Sequence, residues 1–388
     1  MTGTLNPLRV AYVNLAFSDA PDGASLLECL PTATRFCESL AARPGVSVTA
    51  FQRFHRDEDL VRDGVSYHFR ADDPEAHLAT PRTRPAELLA LLRAYRPDVV
   101  HWNGFLFPVQ LAASLAVTAR RPVFAVQHHG GSPEEGWRGR LQQVVHPFAD
   151  GFLFTAEEIG RPWREKGVLA ARPVFEVVEG SCDFAPLARD AARAATGLDG
   201  HPAILWVGRL HDRKDPVTAL RGFARALESL PGATLTMAYA EAPRLAEVEA
   251  FRASSPRLAE RIRLVGRLPH EGLPAWYSAA DLFLTSSPDE GSNYALIEAM
   301  ACGAFPVASD IPPHRLLTDA GAAGELFPAG DAESCAAALR LGASRSTADA
   351  RRAVRWRFEE IASWSAIARQ AEAAYRALVE ERASRRAR

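Results

Sequence analysis

The sequence predicts an α/β protein with two doubly wound, Rossmann-like domains, each a parallel sheet covered by helices on both faces. Short apolar runs typical of buried strands alternate with helix-forming segments, as in consecutive β-α-β units. This alternation occurs twice along the 388 residues, with a polar, alanine-rich pause between the two series. The length also exceeds one ordinary domain of roughly 150 residues. We therefore expect one domain over residues 1–185 and a second over residues 186–363.

The first series begins with an apolar run suited to a central strand. Its predicted strands cover residues 8–13, 46–51, 98–101, 123–126, 151–154 and 174–178. Its predicted helices run from about residue 30 to 43, 85 to 94 and 108 to 118.

The second series restarts after the pause at residues 183–200. Its predicted strands cover residues 203–208, 234–239, 262–265, 281–287 and 305–309. Its predicted helices cover residues 216–230, 243–253, 273–279 and 293–300. Two such sheets are expected to face a central cleft, because ligands of these folds bind at the carboxyl ends of the strands.

A last amphipathic helix is predicted from about Ile361 to Ala383, and we expect residues 364–388 to pack back on the first domain. Four arginines lie at its end, at positions 382, 385, 386 and 388. We interpret this end as a frayed, solvated tail. The alternative is a weak peripheral contact with the inner face of a membrane, at roughly 1 kcal/mol per arginine.

Composition excludes several classes of protein. A formal net charge of −2 provides no general attraction for nucleic acid. No apolar run approaches the ~18 residues of a membrane-spanning helix, and the first residues lack a signal-peptide pattern. The five cysteines are scattered without CxxC spacing, which favours free thiols in a reducing cytoplasm over a zinc site.

Two glutamates, Glu290 and Glu298, stand eight positions apart across a predicted boundary between a loop and a helix. A buried strand precedes them, and Gly303 is placed to end the helix. The first N–H groups of such a helix are unpaired, and its N terminus carries about half a positive charge, which favours anions. Spacing alone leaves two interpretations equally open: two contacts to one long ligand, or two solvated glutamates.

A second motif combines two cations on one loop. After the strand that ends in Gly208, Arg209 and Lys214 lie five positions apart, and Pro216 suits the first position of a helix. Lys166 and Lys214 are the only lysines among 45 basic residues. A guanidinium fork and a compact ammonium suit a diphosphate, although a solvated cationic loop is the commoner case.

Taken in order, these motifs resemble the nucleotide-sugar half of the retaining glycosyltransferases of family 4, which have the GT-B fold. The resemblance covers most of residues 201–331, including Ala299-Met300-Ala301-Cys302-Gly303 after the second glutamate. One departure is visible, because the common Gly-Phe-Gly after the first glutamate is replaced here by Gly291, Ser292 and Asn293, followed by Tyr294.

The resemblance implies specific roles. Arg209 and Lys214, after Gly208, would hold the donor diphosphate, Glu290 would contact hydroxyls of the transferred sugar, and Glu298 would hold the ribose. The loop Gly291–Tyr294 would offer backbone N–H groups, and the base would rest at Arg267 and Leu268. The co-substrate would be a nucleoside diphosphate sugar, with a UDP-sugar favoured, and no other cofactor.

The first half resembles the family less. Asn103 and the pair His128 and His129 fit the family's strand ends, whereas Asn14 stands near the place of a glycine pair after the first strand. Adjacent side chains of an extended segment point to opposite faces, so at most one histidine faces the cleft. We favour His129 as a hydrogen-bond partner of sugar or acceptor, and a structural role is equally open for either histidine.

For the reaction, the resemblance implies metal-independent, front-face transfer with retention to an unidentified hydroxyl acceptor: a glycan, a lipid or a small molecule. The cations and the helix N terminus would stabilise charge on the leaving diphosphate, so neither glutamate has to act as a base. Two alternatives are a sugar-nucleotide epimerase and a non-catalytic sugar-nucleotide-binding protein of the same fold. A phosphorylase is less favoured, because neither lysine suits a pyridoxal Schiff base.

Overall fold

The structure is a computed structural model that describes residues 7–18, 20–71, 85–118 and 122–387. It divides into two compact units. One unit joins Met1–Gly180 to Trp364–Arg388, and the other is Ser181–Ser363. The chain therefore returns to the first unit with its last helix.

The first unit is built on an eight-stranded sheet. Its strands are β1 (Leu8–Asn14), β2 (Val46–Phe54), β3 (Glu58–Arg62), β4 (Val65–Ala71), β5 (Val99–Asn103), β6 (Val123–Gln127), β7 (Gly151–Phe154) and β8 (Val174–Glu176). They lie in the order β3-β4-β2-β1-β5-β6-β7-β8. The edge strand β3 pairs antiparallel with β4, whereas the other pairings in this sheet are parallel. The order reverses between β1 and β5, which makes their carboxyl ends the switch point of this unit.

Helices cover the faces of this sheet. They are α1 (Gly23–Cys29), α2 (Pro31–Ala41), α3 (Ala86–Tyr95), α4 (Pro108–Val117), α5 (Gly136–Val145), α6 (Arg161–Glu165) and the last helix, α16 (Trp364–Ala387). Two of the polar contacts that hold α16 in the unit are short. The Tyr375 hydroxyl lies 2.6 Å from Nδ1 of the buried His101 on β5, and Arg43 Nε donates to Glu372 at 2.6 Å. Burial lowers the pKa of His101 to about 3, so this contact involves a neutral imidazole.

The second unit has a six-stranded parallel sheet. Its strands are β9 (Ala203–Gly208), β10 (Thr234–Tyr239), β11 (Ile262–Gly266), β12 (Leu282–Thr285), β13 (Phe305–Ser309) and β14 (Glu325–Phe327). Their order, β11-β10-β9-β12-β13-β14, is that of a doubly wound Rossmann fold. The helices are α7 (Arg189–Thr196), α8 (Pro216–Ala226), α9 (Leu245–Ala253), α10 (Pro256–Arg261), α11 (Leu273–Ala279), α12 (Tyr294–Ala301), α13 (Pro312–Leu317), α14 (Ala332–Arg345) and α15 (Ala348–Ile361).

A buried carboxylate joins the starts of the two central strands of this sheet. Asp281, which precedes β12, accepts from the backbone N–H of Ala203 at 2.8 Å. It also forms ion pairs with Arg193 at 2.9 Å and with Arg189, both on α7. Because its charge is compensated on several sides, Asp281 stabilises the sheet at the edge opposite to the strands' carboxyl ends.

The alternation of strands and helices was predicted correctly, but several elements were absent from the prediction. The β3–β4 hairpin was missed, and α7 lies inside the segment taken as a pause. Also missed were α1, α5, α6, α10, α13, α14, α15 and β14. The final helix continues to Ala387, so the prediction of a frayed tail after Ala383 was wrong. Arg382, one position before Ala383, donates to the carbonyl of Pro122 and lies 3.6 Å from Asp150, so the helix is in contact with the first unit up to this residue.

Candidate functional site

Three of the predicted donor residues, Arg209, Lys214 and Glu290, lie on loops at the switch point of the second sheet. Strands β9 and β12 are neighbours at the place where the strand order reverses. The loop with Arg209 and Lys214 follows β9, and the loop with Glu290 follows β12. Ligands of doubly wound sheets bind at this place, because the two loops diverge and leave a crevice.

Lys214 and Glu290 form an ion pair between Nζ and Oε1. Their side chains are 21% and 12% exposed, so the pair is largely shielded from water. The Lys214 loop is fixed to the end of β12, because the Ser286 hydroxyl lies within hydrogen-bond distance of the carbonyl oxygens of Lys214 (3.0 Å) and Asp215 (2.7 Å). The structure thus brings together the lysine and the first glutamate that the sequence assigned to phosphate and sugar.

Arg209 is placed differently from Lys214. Its side chain is 60% exposed and pairs at 3.4 Å with Glu241, which is equally exposed. Gly208 before it has no room for a side chain, because a Cβ would lie 2.9 Å from the ring of Trp206. The role of Arg209 at the diphosphate stays a prediction.

The N terminus of α12 is shaped by Asn293. This residue has a left-handed backbone (φ 44°), and its Oδ1 caps the helix by accepting from Leu296 N at 3.3 Å. Asparagine tolerates this conformation better than most residues. It replaces the second glycine of the family's Gly-Phe-Gly, so the departure preserves the backbone that glycine allows. The flanking residues differ in exposure: Ser292 is buried, Gly291 is half-buried and Tyr294 is exposed.

Glu298 lies on α12 with two contacts that the sequence did not reveal. The Tyr277 hydroxyl donates to its Oε2 at 2.8 Å, and His270 Nε2 lies 3.2 Å from its Oε1. Burial raises the pKa of Glu298, while the hydrogen bond from Tyr277 and the nearby His270 lower it. Tyr277 lies in the predicted helix at residues 273–279, but spacing gives no signal that its hydroxyl reaches a glutamate on another helix.

The residues predicted to meet the base follow β11. Arg267 is exposed and Leu268 is half-buried. Gly266 before them has φ 68°, which directs the chain out of the sheet with a turn that suits glycine.

In the first unit, Asn14 and Asn103 end the two strands at the switch point, and His129 follows β6. Asn14 is buried, and its Oδ1 accepts from Ala16 N at 3.2 Å. Asn103 Oδ1 forms a hydrogen bond with Nε2 of His129, whose side chain is 33% exposed. Nδ1 of His129 lies 4.0 Å from Glu179, a residue that the sequence analysis did not place at a site.

His128 has a structural environment. It is 2% exposed and stacks on Phe154 with ring centroids 4.6 Å apart. Nδ1 accepts from Gly130 N and Nε2 donates to Gly131 O, both at 3.3 Å. Burial lowers its pKa to about 4. Both nitrogens contact the glycine turn, which favours the structural role for His128, and its assignment to the acceptor side stays a prediction.

Two features are absent from the part of the chain that the structure describes. Within residues 7–18, 20–71, 85–118 and 122–387, three or more His, Cys, Asp or Glu side chains nowhere gather in a metal-binding arrangement. In the same residues, none of the helices has the length and apolar character needed to cross a bilayer.

Comparison with known proteins agrees with the fold. The family model described as "Glycosyl transferases group 1" matches residues 201–341, and "Glycosyltransferase Family 4" matches residues 32–175. Among solved structures, sucrose-phosphate synthase from Thermosynechococcus elongatus aligns with a TM-score of 0.67 and 19% identity, over 96% of this chain and 99% of the other. HepE of Anabaena in complex with UDP aligns with a TM-score of 0.66 and 17% identity, over 95% of this chain and 100% of the other.

Similar sequences include two mannosyltransferases. The phosphatidyl-myo-inositol mannosyltransferase of Mycobacterium leprae is 28% identical over 48% of this chain and 53% of its own length. The GDP-mannose:cellobiosyl-diphosphopolyprenol alpha-mannosyltransferase of Xanthomonas campestris is 28% identical over 58% of this chain and 59% of its own. The chain thus spans about half the length of the curated relatives it matches.

The two parallel-sheet units and their structural neighbours define a protein of the GT-B class, as predicted. Within that class, the two family matches cover most of the sequence. The chain belongs to glycosyltransferase family 4.

Proposed function

We propose that this chain is a retaining glycosyltransferase that moves a sugar from a nucleoside diphosphate sugar to a hydroxyl acceptor. The observation that carries the proposal is the contact between Lys214 and Glu290 at the switch point of the second sheet. An ammonium beside a carboxylate suits a ligand with phosphate next to sugar hydroxyls, because each group finds a partner of opposite polarity. Entry of the donor between them replaces one ion pair by two ligand contacts.

Four further features support the same donor. The N terminus of α12 offers backbone N–H groups and positive potential to a phosphate. Glu298 lies about one turn further along this helix and suits the ribose hydroxyls, and Arg209 suits the diphosphate by rotating away from Glu241. The residues Arg267 and Leu268 suit contact with the base.

For the donor itself, we propose a UDP-sugar first. HepE of Anabaena, with the same fold, is described in complexes with UDP and with UDP-glucose. GDP-mannose is the second donor to test, because the name of the Xanthomonas campestris relative contains it.

The proposed reaction breaks the bond between the sugar C1 and the phosphate oxygen and forms a bond from C1 to the acceptor oxygen on the same face. The acceptor proton passes to the departing phosphate oxygen, so no side chain has to act as a base. Lys214 and the α12 N terminus stabilise the negative charge that grows on the diphosphate. These fixed positive groups make the proposed reaction metal-independent. On the acceptor side, His129 and Asn103 are the polar groups that we assign to sugar or acceptor.

The test is a panel of UDP-, GDP- and ADP-sugars, assayed for nucleoside diphosphate release with and without simple glycoside acceptors. We expect release with at least one donor, and an α-linked donor should give an α-linked product by NMR. Binding of donors without release from any of them would favour the non-catalytic alternative. Release with inversion at C1 would contradict the front-face reaction.

A further inference from the structure

His314 lies outside the residues that the sequence singled out, yet it is fully buried beside the N terminus of α12. It lies on α13, with Nδ1 at 2.8 Å from the carbonyl oxygen of Ser309 and Nε2 at 2.8 Å from Nδ2 of Asn293. A carbonyl only accepts, so we assign the proton to Nδ1. Nε2 then accepts from the Asn293 amide.

Asn293 occupies the centre of this network. Its Oδ1 accepts from Leu296 N in the first turn of α12, which orients the amide so that Nδ2 faces His314. The same Nδ2 donates to the hydroxyl of Thr285 at 3.0 Å, at the end of β12. Asn293 is 3% exposed, so the amide is held almost entirely by protein groups. One side chain thus joins β12, α12 and α13.

The network lies close to the charged pair of the candidate donor site. Burial is the main cause that lowers the pKa of His314 to about 4, and Glu290 and Lys214 also act on it with opposite signs. Ser286, next to Thr285, contacts the backbone of the Lys214 loop. A change at His314 therefore reaches the helix N terminus and the neighbouring end of β12.

We propose that His314 is a positioning residue for the donor: through Asn293, it holds the N-terminal N–H groups of α12 in the orientation that binds the donor phosphate. The inference rests on the proposed function. A glycine at position 293, as in the family pattern, would have the required backbone but no side chain to fix it. In this chain the asparagine amide and the neutral imidazole provide that restraint.

The experiment is calorimetric titration of the full chain with UDP and with GDP, for the wild type and three variants. H314F keeps a ring but removes both nitrogens, whereas H314Q places an acceptor oxygen near the position of Nε2. N293G removes the amide and keeps a residue suited to the left-handed backbone. H146F is the matched control, because His146 is also fully buried, in the first unit, with its Nδ1 3.2 Å from the Gln142 carbonyl.

We expect H314F and N293G each to weaken nucleotide binding by about tenfold, as the loss of one hydrogen bond to a binding element would. H314Q should bind within about threefold of the wild type, and H146F should bind like the wild type even if its melting temperature falls. The double variant H314F/N293G should bind no more weakly than either single variant, because both act through one network.

The possible outcomes distinguish a failure of the positioning role of His314 from a failure of the proposed function. A wild type that binds neither UDP nor GDP would overturn the two proposed donors, and the inference with them. A wild type that binds while folded H314F binds equally well would refute the positioning role and leave the function intact. If H314F does not fold, N293G decides in its place: unchanged binding by folded N293G also refutes the role, since Asn293 is the route by which His314 acts.

Discussion

Replacement of Lys214 by alanine removes the ammonium that we assign to the donor phosphate and leaves the Glu290 carboxylate without its ion-pair partner. The two side chains are 21% and 12% exposed, which places the pair between a surface pair and a buried one. Surface pairs contribute about 0–1 kcal/mol, and breaking a fully buried pair costs about 3–5 kcal/mol. We therefore expect K214A to lower the free energy of unfolding by about 1–2 kcal/mol.

The effect on turnover should be larger than the effect on stability. Removal of one preorganised group that stabilises transition-state charge costs roughly 10²-fold or more in turnover, and we expect this for K214A and for E290A. Stability should follow a different pattern: in the double variant K214A/E290A neither charge is left unpaired, so its loss of stability should be smaller than the sum of the single losses. Turnover should not recover in the double variant.

Urea denaturation and nucleoside diphosphate release, measured on the four proteins of this cycle, give both quantities. K166A is the matched control, because Lys166 is the chain's other lysine and pairs with the exposed Glu135 at 3.3 Å. We expect K166A to match the wild type in both assays. Near wild-type release by folded K214A and E290A would refute the site assignment, and strictly additive stability losses would refute the ion pair.

Two further predictions concern α12. Because the pKa of Glu298 is raised in the folded chain, the folded state holds this proton more tightly, and stability falls as pH rises from the ordinary glutamate range through the raised value. E298Q should therefore gain stability relative to the wild type as pH rises across that window, in urea titrations from about pH 4 to 8, and a constant difference would contradict the burial effect. At position 293, N293A and N293G both lose the amide, but only alanine is strained at φ 44°. N293A should be the less stable by about 1 kcal/mol in urea denaturation, whereas equal stability would contradict the left-handed backbone.

Much of the fold could be predicted from the sequence, because buried parallel strands are short apolar runs and their alternation with helices restricts the topology. The amphipathic pattern of α7 was missed because the segment is short and polar. Two of its arginines, Arg189 and Arg193, pair with Asp281 about ninety positions away. A local sequence pattern does not reveal such a distant contact. The β3–β4 hairpin was missed for a related reason, since β3 is a half-exposed edge strand without an apolar run.

The candidate site also contains residues that the sequence predicts and residues that only the structure reveals. Lys214 and Glu290 could be predicted because they lie in motifs with defined spacing, and the strand order then brings them into contact. Tyr277, His270 and His314 could not be predicted, because each reaches its partner from a separate helix or loop through a tertiary contact. Alternation of side chains along an extended segment predicted that His128 and His129 point in opposite directions, but not which of them has a structural role. Burial of His128 in the aromatic cluster around Phe154 favours the structural role for that residue.

The most direct test of the account is the thermal unfolding of the wild-type chain with UDP, GDP and ADP, each alone and as its sugar derivative. A ligand that binds only the folded chain adds about 2.7 kcal/mol of stability at a hundred times its dissociation constant. We expect a raised melting temperature with at least one nucleoside diphosphate and its sugar, and a smaller rise for K214A. Unchanged melting with every nucleotide at millimolar concentration would contradict the central claim that this site binds a nucleoside diphosphate sugar.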